Sequence, residues 1–311
     1  MKWKHKDLLD LDVLQAEEIE HILHTAGPMK EILQRPIKKL PTLRGKSVVL
    51  LFYESSTRTR TSFETAAKIL GADTTNFSVT QSSVNKGESL LDTARTLQAM
   101  NVDLVIVRHA SSGAADFLAQ ELRAGVINGG DGQHAHPTQA LLDLFTLKEK
   151  LGGFQGKKIV IVGDVLHSRV ARSNVLGLKK LGAEVVLVGP PTLLPAEMNY
   201  LGVKISYDLD AELPGADAVM ALRLQLERQQ NGLFPSIREY AKLYGLNLER
   251  IRKTGKQTVV MHPGPMNRGI EIASDLAESP LSVIDEQVTN GVAVRMALIY
   301  LLIGGASSDV A

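Results

Sequence analysis

The chain has 311 residues, 44% hydrophobic and 22% charged, and its 35 Lys and Arg nearly cancel its 34 Asp and Glu to leave a net charge of +1. That length exceeds one small core and suggests two domains, and a near-zero charge exerts no global pull toward nucleic acid or an anionic membrane, so any anion site must be local. The absence of cysteine excludes disulfides, thiolate nucleophiles and Cys-ligated zinc.

The opening "MKWKHKDLLDLDVLQAEEIEHIL" scatters acids among its apolar positions. It reads as neither a signal peptide nor a membrane span, and a cytoplasmic protein is expected. Short runs rich in Val, Ile and Leu then recur: "SVVLLFY" (47–53), "VDLVIVRH" (102–109), "KKIVIVGDV" (157–165), "AEVVLVGP" (183–190), "ADAVMAL" (216–222) and "QTVVMHPGP" (257–265). Helical periodicity lies between them, as in Phe63, Ala66, Ala67 and Leu70, closed by Gly71. Near-continuous apolar strands alternating with amphipathic helices predict an α/β fold of two doubly wound parallel-sheet domains, covered on both faces.

"PTQALLDLFTLKEKLGGFQGKK" runs out in glycines and lysines before the strand at 159, which places a boundary near 150 and gives domains 1–150 and 151–289. "NGVAVRMALIYLLIGG" is an apolar helix of about four turns. The segment 290–311 is expected to pack back on the first domain, with its last residues, "GASSDVA", frayed.

Ligands of open α/β sheets bind beyond the carboxyl ends of strands, which makes those ends the places to search. After the first strand come Ser55, Ser56, Thr57, Arg58, Thr59, Arg60 and Thr61. A helix N-terminus, hydroxyls and a bidentate arginine fork form a cradle for phosphate or carboxylate. The alternative is an ordinary helix start with Thr61 and Glu64 as a capping box. Arg108 and His109 end the strand 102–109, as surface or site. "INGGDGQHAHPTQ" offers His134 and His136, with Pro137 in the first helical turn. A metal is not expected there, with no Cys and no acidic ligand at a recognisable spacing. His136 reads instead as a hydrogen-bond donor beside a helix N-terminus, with Gln139 close behind.

"VGDVLHSRVARSN" lacks the glycine fingerprint of a dinucleotide fold, so no nicotinamide or flavin cofactor is expected, but it supplies Arg169 and Arg172. "RLQLERQQ" adds Arg223, Gln225 and Arg228, and another strand ends in "HPGPMNR". The inventory is cationic and hydrogen-bonding, with no evident nucleophile. It suits a reaction whose substrates bring nucleophile and leaving group while the protein positions them and stabilises charge.

In order along nearly the whole chain, "SSTRTRTSFE", "VNKGESLLDT", "HPTQALLDL", "RLQLER" and "HPGPMNRGIEI" resemble the catalytic chains of aspartate carbamoyltransferases, within the aspartate/ornithine carbamoyltransferase superfamily. The resemblance implies carbamoyl phosphate on the first domain and L-aspartate on the second, the active site in the cleft between them, and no cofactor or metal. It assigns the phosphate to Ser56, Thr57, Arg58 and Thr59 with Arg108. The carbonyl oxygen goes to Thr59, Arg108 and His136, and the carbamoyl nitrogen to Gln139 and the backbone around Gly264 and Pro265. It gives the aspartate carboxylates to Arg169, Arg223 and Gln225 with Lys86, and has Ser82 and Lys86 reach into a neighbouring subunit's site, which implies a homotrimer with shared sites. Regulatory chains or a dihydroorotase are possible further partners. His167 and Arg60 receive no role.

The nearest alternative is an ornithine carbamoyltransferase, which shares the cradle but typically has "HPCQ" and a cysteine-containing "HCLP" where this chain has "HPTQ" and "HPGP". Carbamoyltransferases of other amino acids, and a non-catalytic phosphoanion-binding homologue, are the remaining alternatives. Every carried-over position is intact, which argues against the last.

Overall fold

The computed structural model describes residues 3–78, 89–225 and 236–304, so Ser82, Lys86 and Arg228 lie outside the described residues. The chain divides into two compact units, one holding residues up to Leu141 together with those from Thr289, the other Leu142–Val288. The division falls between Leu141 and Leu142, inside the helix Pro137–Leu151.

In the first unit, α1 (Ala16–Leu33) precedes β1 (Ser47–Phe52), α2 (Thr57–Leu70), β2 (Asp73–Ser78), α3 (Leu90–Ala99), β3 (Leu104–His109), α4 (Ala114–Glu121), β4 (Gly125–Asp131) and α5 (Pro137–Leu151). The strands pair in parallel in the order β2-β1-β3-β4. β1 and the first residues of β3 are unbroken Val, Leu, Ile and Phe because both faces are covered, and Val49, Leu51, Val105 and Val107 pack with Leu97 and Leu118. In α2 the predicted stripe Phe63, Ala66, Ala67 and Leu70 is buried, and Gly71 ends the helix in the left-handed region at φ 84°. The chain returns across β1 to start β3, so the strand order reverses between β1 and β3.

The second unit carries β5 (Lys158–Val162), α6 (Arg169–Lys180), β6 (Glu184–Val188), β7 (Lys204–Ser206), α7 (Leu209–Glu212), β8 (Ala218–Ala221), α8 (Ile237–Tyr244), α9 (Leu248–Arg252), β9 (Val259–Met261) and α10 (Ser274–Ala277). Its sheet is also parallel, in the order β7-β6-β5-β8-β9, with the reversal between β5 and β8. Val160, Val162, Val186, Val188 and Val219 form its core with Tyr240. A buried polar tie fixes one side of this unit. Asp143 of α5 accepts from the Asn174 amide at 2.9 Å and the Gln287 amide at 2.7 Å, and Gln287 in turn accepts from the His262 N–H at 3.0 Å.

The last helix, α11 (Ile284–Ile299), runs on through a π-turn to Gly304. It is long and apolar enough to cross a membrane, but its most apolar window is 61% buried inside the protein, as in a core helix. Arg295 stands 5.0 Å over the ring of Phe63, which ties this helix to α2.

Candidate active site

Both strand-order reversals coincide with the residues singled out in the sequence, and a reversal is where an open sheet leaves a crevice for a ligand. At the first, β1 leads into α2 through Ser56, which is extended at φ −159° and whose side chain does not cap the helix. No acid stands in the first turn of α2. Ser89, Ser168, Ser236 and Asn247, by contrast, each accept a backbone N–H at their own helix starts. The first turn of α2 thus leaves its N–H groups and positive dipole end to an anion. Thr57 and Arg58 are exposed there and Thr59 is buried. The capping box expected of Thr61 and Glu64 is absent, because α2 begins at Thr57, one turn earlier, and Glu64 pairs with Lys68 at 2.6 Å. Arg60 is exposed.

One strand over, the β3–β4 register shifts between Val107 and His109, so Arg108 sits on an irregularity that re-aims its side chain. Its guanidinium donates to the Gly129 carbonyl at 3.2 Å and to Glu54 at 3.3 Å, and it lies 3.5 Å from His136 Nε2. His136 is buried, and its carbonyl accepts the N–H of Gln139 at 3.0 Å as α5 begins. Arg108 and His136 are therefore brought together, with Gln139 half-buried in the first turn of α5.

The turn that presents His136 is built by Asp131, which is 1% exposed. Its carboxylate accepts from Gly113 N–H at 2.7 Å, the Asn128 amide at 2.7 Å and Ala135 N–H at 3.2 Å, with His134 Nδ1 at 3.1 Å. Burial pushes this carboxyl up, but Asn128, Gly113 and His134 more than reverse that and hold it below the usual carboxylate range. Asp116, Asp131 and His134 place ligand atoms within 4.8 Å of one another, yet both Asp131 oxygens are already committed to the turn. Asp131→Asn is expected to cost about 1–3 kcal/mol at neutral pH, since charged acceptors are lost from buried donors. With the folded pKa below an unfolded value of about 3.9, this stabilisation is complete above that value and is lost as pH falls through the folded pKa. Urea titrations at a series of pH values should show the gap between parent and variant constant near neutrality and shrinking under acid.

At the second reversal, the turn after β5 bends at Gly163 (φ 131°), where a side chain would strike the Tyr240 hydroxyl at 2.8 Å. Asp164 and His167 pair there, with His167 Nδ1 2.9 and 3.0 Å from the two carboxylate oxygens. Ser168 caps α6 by accepting from Ala171 N–H at 3.1 Å, and Arg169, buried, is the first helical residue. After β8, Arg223 and Gln225 are half-buried, and the Gln225 amide donates to the His167 carbonyl at 3.3 Å.

Beyond β9, Gly264 adopts φ 63°, in the left-handed region that favours glycine, and a cis bond joins it to Pro265. Its N–H donates to His262 Nδ1 at 2.8 Å, so His262 Nε2 carries the proton and meets Glu271 at 3.1 Å. Glu271 also accepts from Asn267 N–H at 2.6 Å, and the Asn267 amide donates to Leu224 O at 3.1 Å. The loops after β8 and β9 are thereby held to each other. Sequence reasoning missed Asp131, Asp164, Glu271 and Asp143. The spacing Asp164 to His167, three residues apart just past a strand, was the one local signal.

The aspartate/ornithine carbamoyltransferase carbamoyl-P binding domain matches residues 6–149, and the Asp/Orn binding domain of the same proteins matches residues 155–302. An aspartate carbamoyltransferase catalytic subunit from Desulfitobacterium hafniense is 70% identical over 310 residues, covering 100% of this chain and 99% of the relative. Aspartate transcarbamoylase from Trypanosoma cruzi, solved with carbamoyl phosphate and aspartate, superposes with a TM-score of 0.85 at 29% identity, covering 96% of each chain. Ornithine carbamoyltransferase from Pyrococcus furiosus superposes with a TM-score of 0.86 at 31% identity, covering 98% of this chain and 99% of that one. Backbone shape is thus common to both substrate classes, and the 29% and 31% identities do not separate them, whereas the relative at 70% identity is an aspartate enzyme. With two matched domains spanning nearly all of its length and relatives aligned end to end, the chain belongs to the aspartate/ornithine carbamoyltransferase family.

Proposed function

We propose that the chain is an aspartate carbamoyltransferase, transferring the carbamoyl group of carbamoyl phosphate to the amine of L-aspartate. The products are N-carbamoyl-L-aspartate and phosphate, the step of de novo pyrimidine (UMP) biosynthesis. The observation that carries the reading is the uncapped, acid-free start of α2 at the first strand-order reversal, together with the pairing of Arg108 and His136, 3.5 Å apart, at the end of the adjoining strand β3. The 70% identity to a catalytic subunit named for aspartate favours that amino acid over ornithine.

Carbamoyl phosphate places its phosphate on Ser56, Thr57, Arg58 and Thr59 with Arg108. Its carbonyl oxygen meets Thr59, Arg108 and His136, and its amide meets Gln139 and the backbone of Gly264 and Pro265. The aspartate amine attacks the carbamoyl carbon, the carbonyl oxygen gains charge, and the carbon–oxygen bond to phosphate breaks with its electron pair on the phosphate. Donors fixed in advance at the growing oxyanion lower the barrier, and the departing phosphate accepts the one proton that the attacking nitrogen releases, leaving an N–H in the product. Arg169, Arg223 and Gln225 read the aspartate carboxylates, a task suited to planar forks. No metal or cofactor takes part.

The decisive assay supplies purified protein with carbamoyl phosphate and either aspartate or ornithine. Carbamoyl aspartate is the expected product, and product from ornithine alone would overturn the assignment. The reading extends to a cytoplasmic homotrimer in which Ser82 and Lys86 serve the neighbouring subunit's site. Arg58→Ala and Lys86→Ala, each inactive alone, should recover part of the activity when mixed and reassembled, because a hybrid trimer contains an intact shared site. Mixtures that stay inactive would count against shared sites.

A further inference from the structure

The pair at the end of β5 is the chemistry that the reaction above leaves unused. Asp164 is fully buried, and His167 is buried with its side chain 9% exposed. Asp164 takes the His167 backbone N–H at 3.2 Å and faces the ring at Nδ1 with both oxygens. A carboxylate against Nδ1 holds the proton there and leaves Nε2 as the basic lone pair. Among the described residues, His167 Nε2 has no hydrogen-bond partner.

This basic nitrogen lies where the second sheet reverses its strand order, two residues before Arg169, and the Gln225 amide donates to the His167 backbone carbonyl at 3.3 Å. Those are the residues assigned to the amino-acid substrate. Such a substrate arrives mostly as an ammonium ion, and only the neutral amine can attack. Arginines bind its carboxylates but accept no proton. Among the described residues, the charged and titratable groups near the turn include Asp164 on the turn itself, Arg169 and Arg172 on α6, Arg223 two residues past β8, and the Tyr240 hydroxyl from α8. Tyr240 stays neutral, since burial and the Glu271 and Asp164 carboxylates push its hydroxyl up, and the Nε2 lone pair of His167 is the acceptor that the Asp164 contact at Nδ1 leaves open.

We propose that His167 is the base of the amino-acid subsite, taking one proton from the substrate ammonium at Nε2 before attack. The inference rests on the amino-acid carbamoylation proposed above. The N–H bond breaks, its electron pair remains as the amine lone pair, and the proton makes an imidazolium whose charge Asp164 balances. The amine then forms the bond to the carbamoyl carbon as phosphate leaves, the phosphate takes the second proton, and the imidazolium returns its proton to water.

The test measures kcat/KM for aspartate against pH in the parent chain, His167→Gln and Asp164→Asn, with circular dichroism to establish folding. At neutral pH His167→Gln should lose about 100-fold, the lower range for a positioned base, with the KM for carbamoyl phosphate unchanged. The deficit should shrink as pH passes the pKa of the substrate amine, because the substrate then arrives neutral. Asp164→Asn should lower kcat/KM for aspartate in the same direction, since the carboxylate that fixes the ring proton on Nδ1 is gone. A deficit of the same size at every pH, or none, overturns the role of His167 while leaving the function intact. A parent chain inactive toward aspartate overturns the functional reading and this inference with it.

Discussion

Purified Arg108→Ala protein is expected to fold and to form carbamoyl aspartate about 100- to 1000-fold more slowly than the parent chain, the usual effect of removing one oxyanion donor. The guanidinium is aimed by an irregular register at the β3 end and steadied by the Gly129 carbonyl and Glu54, so its position is set before substrate arrives. Preorganised charge of this kind acts on the transition state without reorganisation during the reaction. Arg108→Lys should recover little, because three donors on one nitrogen cannot span the Gly129 carbonyl, Glu54 and a substrate oxygen in the geometry that the planar, five-donor fork provides. Steady-state kinetics paired with a thermal melt separates this from unfolding: the loss should fall on kcat with the melting transition preserved. A variant within a few-fold of the parent would remove Arg108 from the chemistry.

The second large effect falls on stability. Phe63→Ala should destabilise the first unit by about 3–5 kcal/mol, the range for truncating a buried aromatic ring. Phe63 is 0% exposed on the inner face of α2, and Arg295 of α11 rests on its ring, so truncation opens a cavity and strips the guanidinium of its π-face. The chain has one tryptophan, Trp3, in the first unit. Its fluorescence during urea unfolding therefore reports on the unit that carries the mutation, and the midpoint should fall with little change in slope. The carbamoyl-phosphate KM should rise as well, because α2 carries the phosphate cradle at its other end.

Much of the architecture was readable because β1, β3, β5, β6 and β8 are covered on both faces and so spell continuous apolar runs. The strands that escaped notice are polar for physical reasons. β2, "DTTNFS", and β7, "KIS", are edge strands with one neighbour each, so their polar residues meet water. β4, "GVINGGD", buries Asn128 and Asp131 because each satisfies the other and the surrounding backbone. At the start of α2 the sequence left two readings open: the Thr61 to Glu64 spacing matches a capping box, but the cradle residues themselves open the helix.

The cationic residues at strand ends were legible one by one, yet no local pattern marks which arginine a strand irregularity re-aims. The pairings of Asp143 with Asn174 and Gln287 join residues distant in sequence and become visible only once the chain is folded.

The open start of α2 makes the substrate a folding ligand as well as a reactant. An anion seated there completes hydrogen bonds that Ser56 leaves unmade, and any ligand that prefers the native chain shifts the folding equilibrium by mass action, about 2.7 kcal/mol at a hundredfold excess over its dissociation constant. When carbamoyl phosphate is abundant the first unit is at its most resistant to local opening and proteolysis. Proteolysis of the purified chain is therefore expected to be slower with carbamoyl phosphate than without it.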